Sequence, residues 1–195
     1  MDTFVIATHN QKKLAELQRI LEPLGISAVT AELEEVEETG ETFAENAFLK
    51  ADAACKQTGK PAVADDSGLV VDALDGAPGV YSARYAGENA TDQDRIAKLL
   101  REMQSYPAPE RSARFVSSIC CVFPDGTVLR AEGTCEGEIG FSPAGDGGFG
   151  YDPVFFVGER SFAELSGEEK DTISHRGKAL QTFAKTLKEY YLQIK

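Results

Sequence analysis

The sequence predicts an α/β protein, a mixed β-sheet with helices on its faces. Three observations lead there. The first half alternates short apolar runs with helical periodicity, beginning with Thr3–Ala7 and then Leu14, Leu17, Leu21 and Leu24. The middle turns to two long strand-like runs around Pro124-Asp125-Gly126, a hairpin signal. The chain has 195 residues, 42% hydrophobic and 27% charged, as ordinary folded proteins do. At ~150 residues per domain that length favours one domain, residues 1–195, with room for two lobes.

Taken in order, Thr3–Ala7 reads as a buried strand, and Thr8-His9-Asn10 as the turn that leads into the first helix. Pro23 and Gly25 stop that helix, and Ile26–Thr30 reads as a second strand. Thr42 and Glu45 have capping-box spacing, which starts a helix through about Gln57 with Phe43, Ala47, Ala51 and Ala54 on its apolar side. Pro61–Ala64 reads as a short strand ending at Asp65-Asp66-Ser67-Gly68, and Leu69–Leu74 as the next. A helix begins near Thr91, with Ile96, Leu99, Leu100 and Met103 inward, and Tyr106–Pro109 ends it as a candidate link between lobes. Ala113–Phe123 and Thr127–Ile139 form the hairpin, Pro153–Val157 reads as a strand, and the last helix places Leu180, Phe183, Leu187 and Tyr190 on one face.

A net charge of −12 excludes a broad electrostatic grip on nucleic acid or anionic lipid, which needs a basic face. A polyanionic ligand therefore requires a local cluster of cations or a metal. No apolar run approaches the ~20 residues of a membrane span. The opening Met1–Ala7 lacks the basic and apolar regions of a signal peptide, so the cytoplasm is expected. Cys55, Cys120, Cys121 and Cys135 form no C-x-x-C pair, and adjacent strand residues point to opposite faces. Reduced structural thiols are expected.

Several segments have a chemical reading beside a plain structural one. Asp65-Asp66-Ser67-Gly68 is either an Asx-turn or a carboxylate pair at the end of a strand, where open α/β sheets put ligands and where oxygen donors suit Mg²⁺. The stretch Glu32–Glu45 is either a solvated face or the source of a second carboxylate, bent by Gly40. Asn46 and Lys50 share a helix face, from which Lys50 is able to reach a phosphate. Thr8–Lys13 is either an ordinary turn or a phosphate cradle of helix-start N–H groups beside Lys13, although it is not a Walker loop.

Gly145–Gly150 matches G-x-G-x-x-G, but a strand follows where a dinucleotide fold needs a helix, so that match is rejected. Phe149 is either core or a ring stacked on a nucleobase, with Asp152 reading ring N–H groups. His175 and Arg176 are either structural or a donor patch for carbonyl or phosphate oxygens. Together these describe a small triphosphate site.

The motifs Thr8-x-Asn10-x-x-Lys13, Glu37-Glu38-Thr39-Gly40, Glu45-Asn46-Ala47-x-x-Lys50-Ala51 and Ala64–Gly68 occur in order. Gly76–Tyr85, Gly148–Pro153 and Ser174-His175-Arg176 follow, so the match runs nearly end to end. This set resembles the inosine/xanthosine triphosphate pyrophosphatases, with His9 where many members carry Gly. The resemblance implies an elongated mixed α/β fold of two lobes with a cleft, usually a homodimer. It also implies Mg²⁺-dependent hydrolysis of deaminated purine triphosphates (ITP, dITP, XTP) to monophosphate and pyrophosphate.

By the same resemblance Glu37 and Asp66 hold the metal, and Asp66 activates water. Thr8, His9, Asn10, Gln11, Lys12, Lys13, Ser67 and Lys170 bind substrate, with Lys50 assisting at the phosphates. Phe149, Gly150, Tyr151, Asp152, His175 and Arg176 enclose the base. Arg176 and His175 as donors would favour a 6-oxo purine over adenine, since one mismatched buried donor costs ~1–3 kcal/mol, or ~5- to 150-fold. The alternatives are a Maf-like pyrophosphatase for pyrimidine nucleotides, whose motifs differ at Asn10 and Lys13, and a nucleotide sensor without catalysis.

Overall fold

Alternation within single strands sets the layers. In the computed structural model, which describes residues 3–193, β1 (Phe4–Ile6) sends Phe4 and Ile6 into one apolar cluster and Val5 into another. Successive strand side chains point to opposite faces, so a buried strand needs cover on both sides. Two helices, α1 (Gln11–Leu21) and α5 (His175–Gln193), cover the first face, where Leu14, Leu17 and Leu21 meet Leu180, Phe183 and Leu187. Helix α2 (Phe43–Thr58) covers the second with Ala47, Ala51 and Ala54, small side chains that allow close approach.

Asn10 caps α1, Thr42 and Glu45 form the expected capping box at α2, and Gly25 turns the chain left-handed after α1 (φ 75°). The strand after α1 is only β2 (Ala28–Val29), shorter than Ile26–Thr30. It pairs parallel with β1, as does β3 (Ala62–Val71). Helix α3 is Asp92–Glu102, β4 is Ser112–Val122 and β5 is Val128–Ile139. The turn between β4 and β5 closes through Gly126 N–H donating to the Phe123 carbonyl. Two short antiparallel strands, β6 (Phe155–Val157) and β7 (Arg160–Ser161), and helix α4 (Gly167–Ile173) complete the elements. The strand order is β2-β1-β3-β4-β5-β6-β7, parallel at the first end and antiparallel at the other, so the sheet is mixed as expected.

The chain divides into two compact units. Unit 1 comprises 1–66, 117–133 and 175–195, and unit 2 comprises 67–116 and 134–174. The crossings fall inside β3, β4 and β5 and just before α5, not at Tyr106–Pro109, which lies within unit 2. Unit 2 has its own core, in which Phe115, Phe155 and Phe162 meet at 4.5 to 5.6 Å between ring centroids. Leu69, Val71, Leu99, Met103 and Ile139 surround them.

Asp65–Gly68 does not end a strand. It runs through the middle of the ten-residue β3, joining the two short strands expected on either side. All four cysteines are free and buried, and Cys120 and Cys121 sit in different clusters on opposite sheet faces. Among the described residues no helix is long and apolar enough to cross a membrane. Met1 and Asp2 of the opening segment lie outside the described residues.

Candidate active site

In unit 1 the site is built from β3, α1, α2 and the loop before α2. Adjacent carboxylates on β3 take different partners. Asp65 accepts hydrogen bonds from Ser117 Oγ at 2.5 Å and Arg176 Nη2 at 3.1 Å, and pairs with Lys13 Nζ at 3.0 Å. Burial would raise its pKa, but Arg176, Lys13 and Ser117 together hold it well below the usual carboxylate range. The other arm of Arg176 pairs with Glu16, so Glu16, Arg176 and Asp65 form a buried chain.

Asp66 meets Lys50, whose ammonium lies 2.9 Å from Asp66 Oδ1, 2.8 Å from Glu38 Oε1 and 3.0 Å from the Asp65 carbonyl. Burial pushes the Asp66 carboxyl up, and Lys50 and Lys13 only partly oppose it. Burial would lower the pKa of Lys50, but Asp66 and Glu38 reverse this and leave it raised. Lys13 goes the other way, lowered by burial despite Asp65.

Buried Asn46 fixes the loop that delivers Glu38. Its Oδ1 accepts the Gly40 N–H at 2.8 Å and its amide donates to the Gly40 carbonyl at 3.4 Å. A Cβ at Gly40 would come within 2.7 Å of Asn46 Oδ1 and of Glu45 Cβ, so the loop needs glycine there. This places Glu38 beside Asp66, whereas Glu37 is exposed. The i+4 spacing of Asn46 and Lys50 signalled a shared face. That Asn46 would grip the acidic loop was missed, although an asparagine in the first turn after a glycine loop was the available signal.

At the start of α1 the Lys12 and Lys13 N–H groups already donate to Asn10 Oδ1 at 3.0 and 3.1 Å. They are therefore not the open cradle expected of Thr8–Lys13. Asn10 N–H donates to Thr8 Oγ1 at 3.2 Å, and His9, Gln11 and Lys12 are exposed. What the segment contributes inward is the Lys13 side chain. Arg176 departs from expectation too: it is 2% exposed, and its Nη1 and Nη2 bond Glu16 and Asp65 instead of facing outward as base readers. His175 is buried beside it in the chain.

In unit 2, Asp152 is buried and paired with the equally buried Lys170 of α4 at 2.7 Å. Asp152 Oδ2 also accepts the Phe149 N–H at 3.0 Å, and the Gly150 N–H donates to Asp92 Oδ2 at 2.9 Å. Asp92, at the start of α3, was not singled out in the sequence. The Lys170 ammonium lies 5.1 Å from the Phe149 ring centroid. Phe149 is half-buried, so it is not core. Tyr151 is core instead, its hydroxyl donating to the Ser82 carbonyl at 2.8 Å, while Ser67 is half-buried on β3.

The oxygens around Lys50 Nζ fit a hard divalent cation. Mg²⁺ takes one or two carboxylates and fills its octahedron with water and phosphate oxygens. Glu38 and Asp66 offer two carboxylates and Asp65 a carbonyl. Among the described residues no three acidic, histidine or cysteine side chains form a closed cage, so a metal would need oxygens from elsewhere.

The Ham1 family model matches residues 4–186. The chain belongs to the Ham1 family. A dITP/XTP pyrophosphatase of Halalkalibacterium halodurans is 48% identical, the match covering 96% of this chain and all of that one. Another from Geobacter sulfurreducens is 52% identical over 92% of this chain and 94% of the relative. The solved Ham1 protein of Coxiella burnetii superposes with a TM-score of 0.88 at 46% identity, covering 97% of this chain and all of that one. The Staphylococcus aureus Ham1 protein gives 0.85 at 43%, with 96% and 99% covered. The α/β class and the family resemblance read from the motifs are both borne out.

Proposed function

We propose that this chain hydrolyses deaminated purine nucleoside triphosphates (dITP, XTP and ITP) to the monophosphate and pyrophosphate, removing them from the nucleotide pool. The names of its Ham1 relatives support the substrate class. The observation that carries the chemistry is the convergence of Glu38, Asp66 and Lys50 in a chain whose net charge would otherwise repel a triphosphate.

In this reading Asp66 and Glu38 hold the metal, Glu38 replacing Glu37 because its carboxylate is the one beside Asp66. Mg²⁺, when bound, supplies charge neutralisation at the phosphate oxygens. Lys13 and Lys50 bind phosphates, and Thr8–Lys12 and Ser67 shape the approach. Asp66 orients the attacking water and accepts its proton. Asp65 takes no proton, since Arg176, Lys13 and Ser117 keep it ionised, and it acts by holding Lys13.

Phe149 stacks on the base, and Gly150 and Asp152 line its edge. The Arg176 Nη1 and Nη2 groups are committed to Glu16 and Asp65, as the Lys170 ammonium beside the Phe149 ring is to Asp152. Assembly as a homodimer and a cytoplasmic location extend the proposal, and sedimentation of the full chain tests the first.

The deciding experiment is a panel of ITP, XTP, dTTP and UTP, with pyrophosphate detected with and without Mg²⁺. Turnover of ITP and XTP to pyrophosphate is expected. Orthophosphate in place of pyrophosphate overturns the reaction, and preference for dTTP or UTP overturns the substrate class.

A further inference from the structure

The oxygen set assigned to the metal already surrounds a cation. Lys50 Nζ has the Glu38 and Asp66 carboxylates and the Asp65 carbonyl all at 2.8 to 3.0 Å. The Lys50 side chain is 16% exposed and that of Asp66 only 8%, so water screens this cluster weakly. Lys50 rises from α2, whose first turn also anchors the Glu38 loop through Asn46. The ammonium thus ties the acidic loop to β3.

Glu38 and Asp66 would hold Mg²⁺ through direct bonds from their oxygens, closer than any hydrogen-bond partner approaches. An ammonium bridging the same two carboxylates fills that space, and the two cations repel each other strongly at such range. Of the two, the lysine is the one with a flexible four-carbon stem. A triphosphate offers the displaced ammonium new anionic oxygens.

We propose that Lys50 is the resident counter-ion of the metal site, competing with the divalent ion for Glu38 and Asp66 and released onto the substrate phosphates when that ion loads. This rests on the pyrophosphatase reading and deepens it. One residue thereby offsets part of the charge of the two carboxylates in the empty protein and serves the phosphates in the loaded one. Because the exchange favours joint arrival of ion and polyanion, each raises the affinity of the other by the same factor.

The test reads binding without turnover, so it can fail while the pyrophosphatase activity stands, and the reverse. Mn²⁺ is titrated into the nucleotide-free full chain and free Mn²⁺ is read by electron paramagnetic resonance. Lys50→Met and Lys50→Gln are expected to bind Mn²⁺ about tenfold tighter or more than the unaltered protein, since the competing charge is gone. Lys13→Met, which removes a cation paired with Asp65, is expected to change affinity far less. Equal or weaker binding by the Lys50 variants overturns the proposal, as does an equal gain from Lys13→Met.

A second measurement needs no variant. Acylation of Lys50 in the unaltered chain, followed by peptide mass spectrometry, is expected to accelerate when Mg²⁺ is added at constant ionic strength. Exposed Lys56, paired with Asp52, is the reference. A Lys50 rate that Mg²⁺ leaves unchanged relative to Lys56 overturns the proposal.

Discussion

Asp65 and Asp66 are chemically identical neighbours pushed in opposite directions by what surrounds them. On the proposed reading, Asp66→Asn removes both a metal oxygen and the proton acceptor. Turnover of ITP should fall by at least about a hundredfold, the scale of a lost general base, while nucleotide binding largely persists. Near-normal turnover in a pyrophosphate assay would place the chemistry elsewhere.

Asp65→Asn acts on stability. It strips the counter-charge from Arg176 and Lys13 inside unit 1, and breaking such a buried pair costs about 3–5 kcal/mol. The pH dependence follows from the depressed pKa of Asp65. Its stabilisation is fully present above the unfolded value of about 3.9 and is lost as pH falls through the lower folded value. Denaturation curves should therefore separate protein and variant by a constant gap from about pH 5 upward, narrowing only in stronger acid. At the base side, Phe149→Ala should raise KM for ITP by about tenfold, if stacking contributes the ~1–3 kcal/mol seen for aromatic–base contacts.

At the scale of elements, β3 shows where local reading fails. Asp, Asp, Ser and Gly are poor strand residues, so Asp65–Gly68 reads locally as a turn. Tertiary partners override that preference: Ser117, Lys13 and Arg176 satisfy Asp65, and Lys50 satisfies Asp66. Elements with strong local signals were legible, including the Thr42–Glu45 capping box, the Thr91 cap and the Asp125-Gly126 turn. Helix α4, a single short segment capped by Ser166, carries too little periodicity to be read. Most of the site was legible as residue types in ordered motifs. Which of Glu37 and Glu38 meets Lys50 was not, because that depends on the path of the loop, held by the Asn46 bonds to Gly40 and by Lys50 itself.

Gly133 gives a test at this scale. A Cβ there would land against the His175 carbonyl and the Ala179 amide, backbone atoms of α5 that cannot yield cheaply. Gly133→Ala should destabilise by about 1–3 kcal/mol, the range for overpacking, read as a lowered urea midpoint.

For the whole molecule, a charge of −12 facing a triphosphate leads, on the proposed reading, to the expectation that turnover needs a divalent cation and the fold does not. Its stability comes from three apolar clusters, with the four cysteines free. Exhaustive chelation should abolish pyrophosphate release, restored by Mg²⁺, and shift Tm by less than ~2 °C, the equivalent of under ~1 kcal/mol for a chain this long. Full activity after chelation would remove the basis of the site.

The division into units also bears on how the protein is made. Every residue of unit 2 is translated before residue 175, whereas unit 1 needs α5 for Leu180, Phe183 and Leu187 and for the Arg176 that neutralises Asp65. A nascent chain on the ribosome therefore carries an unfinished amino-terminal half, with an acidic strand lacking its arginine, until the residues from 175 onward have been made. A premature stop that removes only the last helix would leave that half without either its apolar cover or its internal cation.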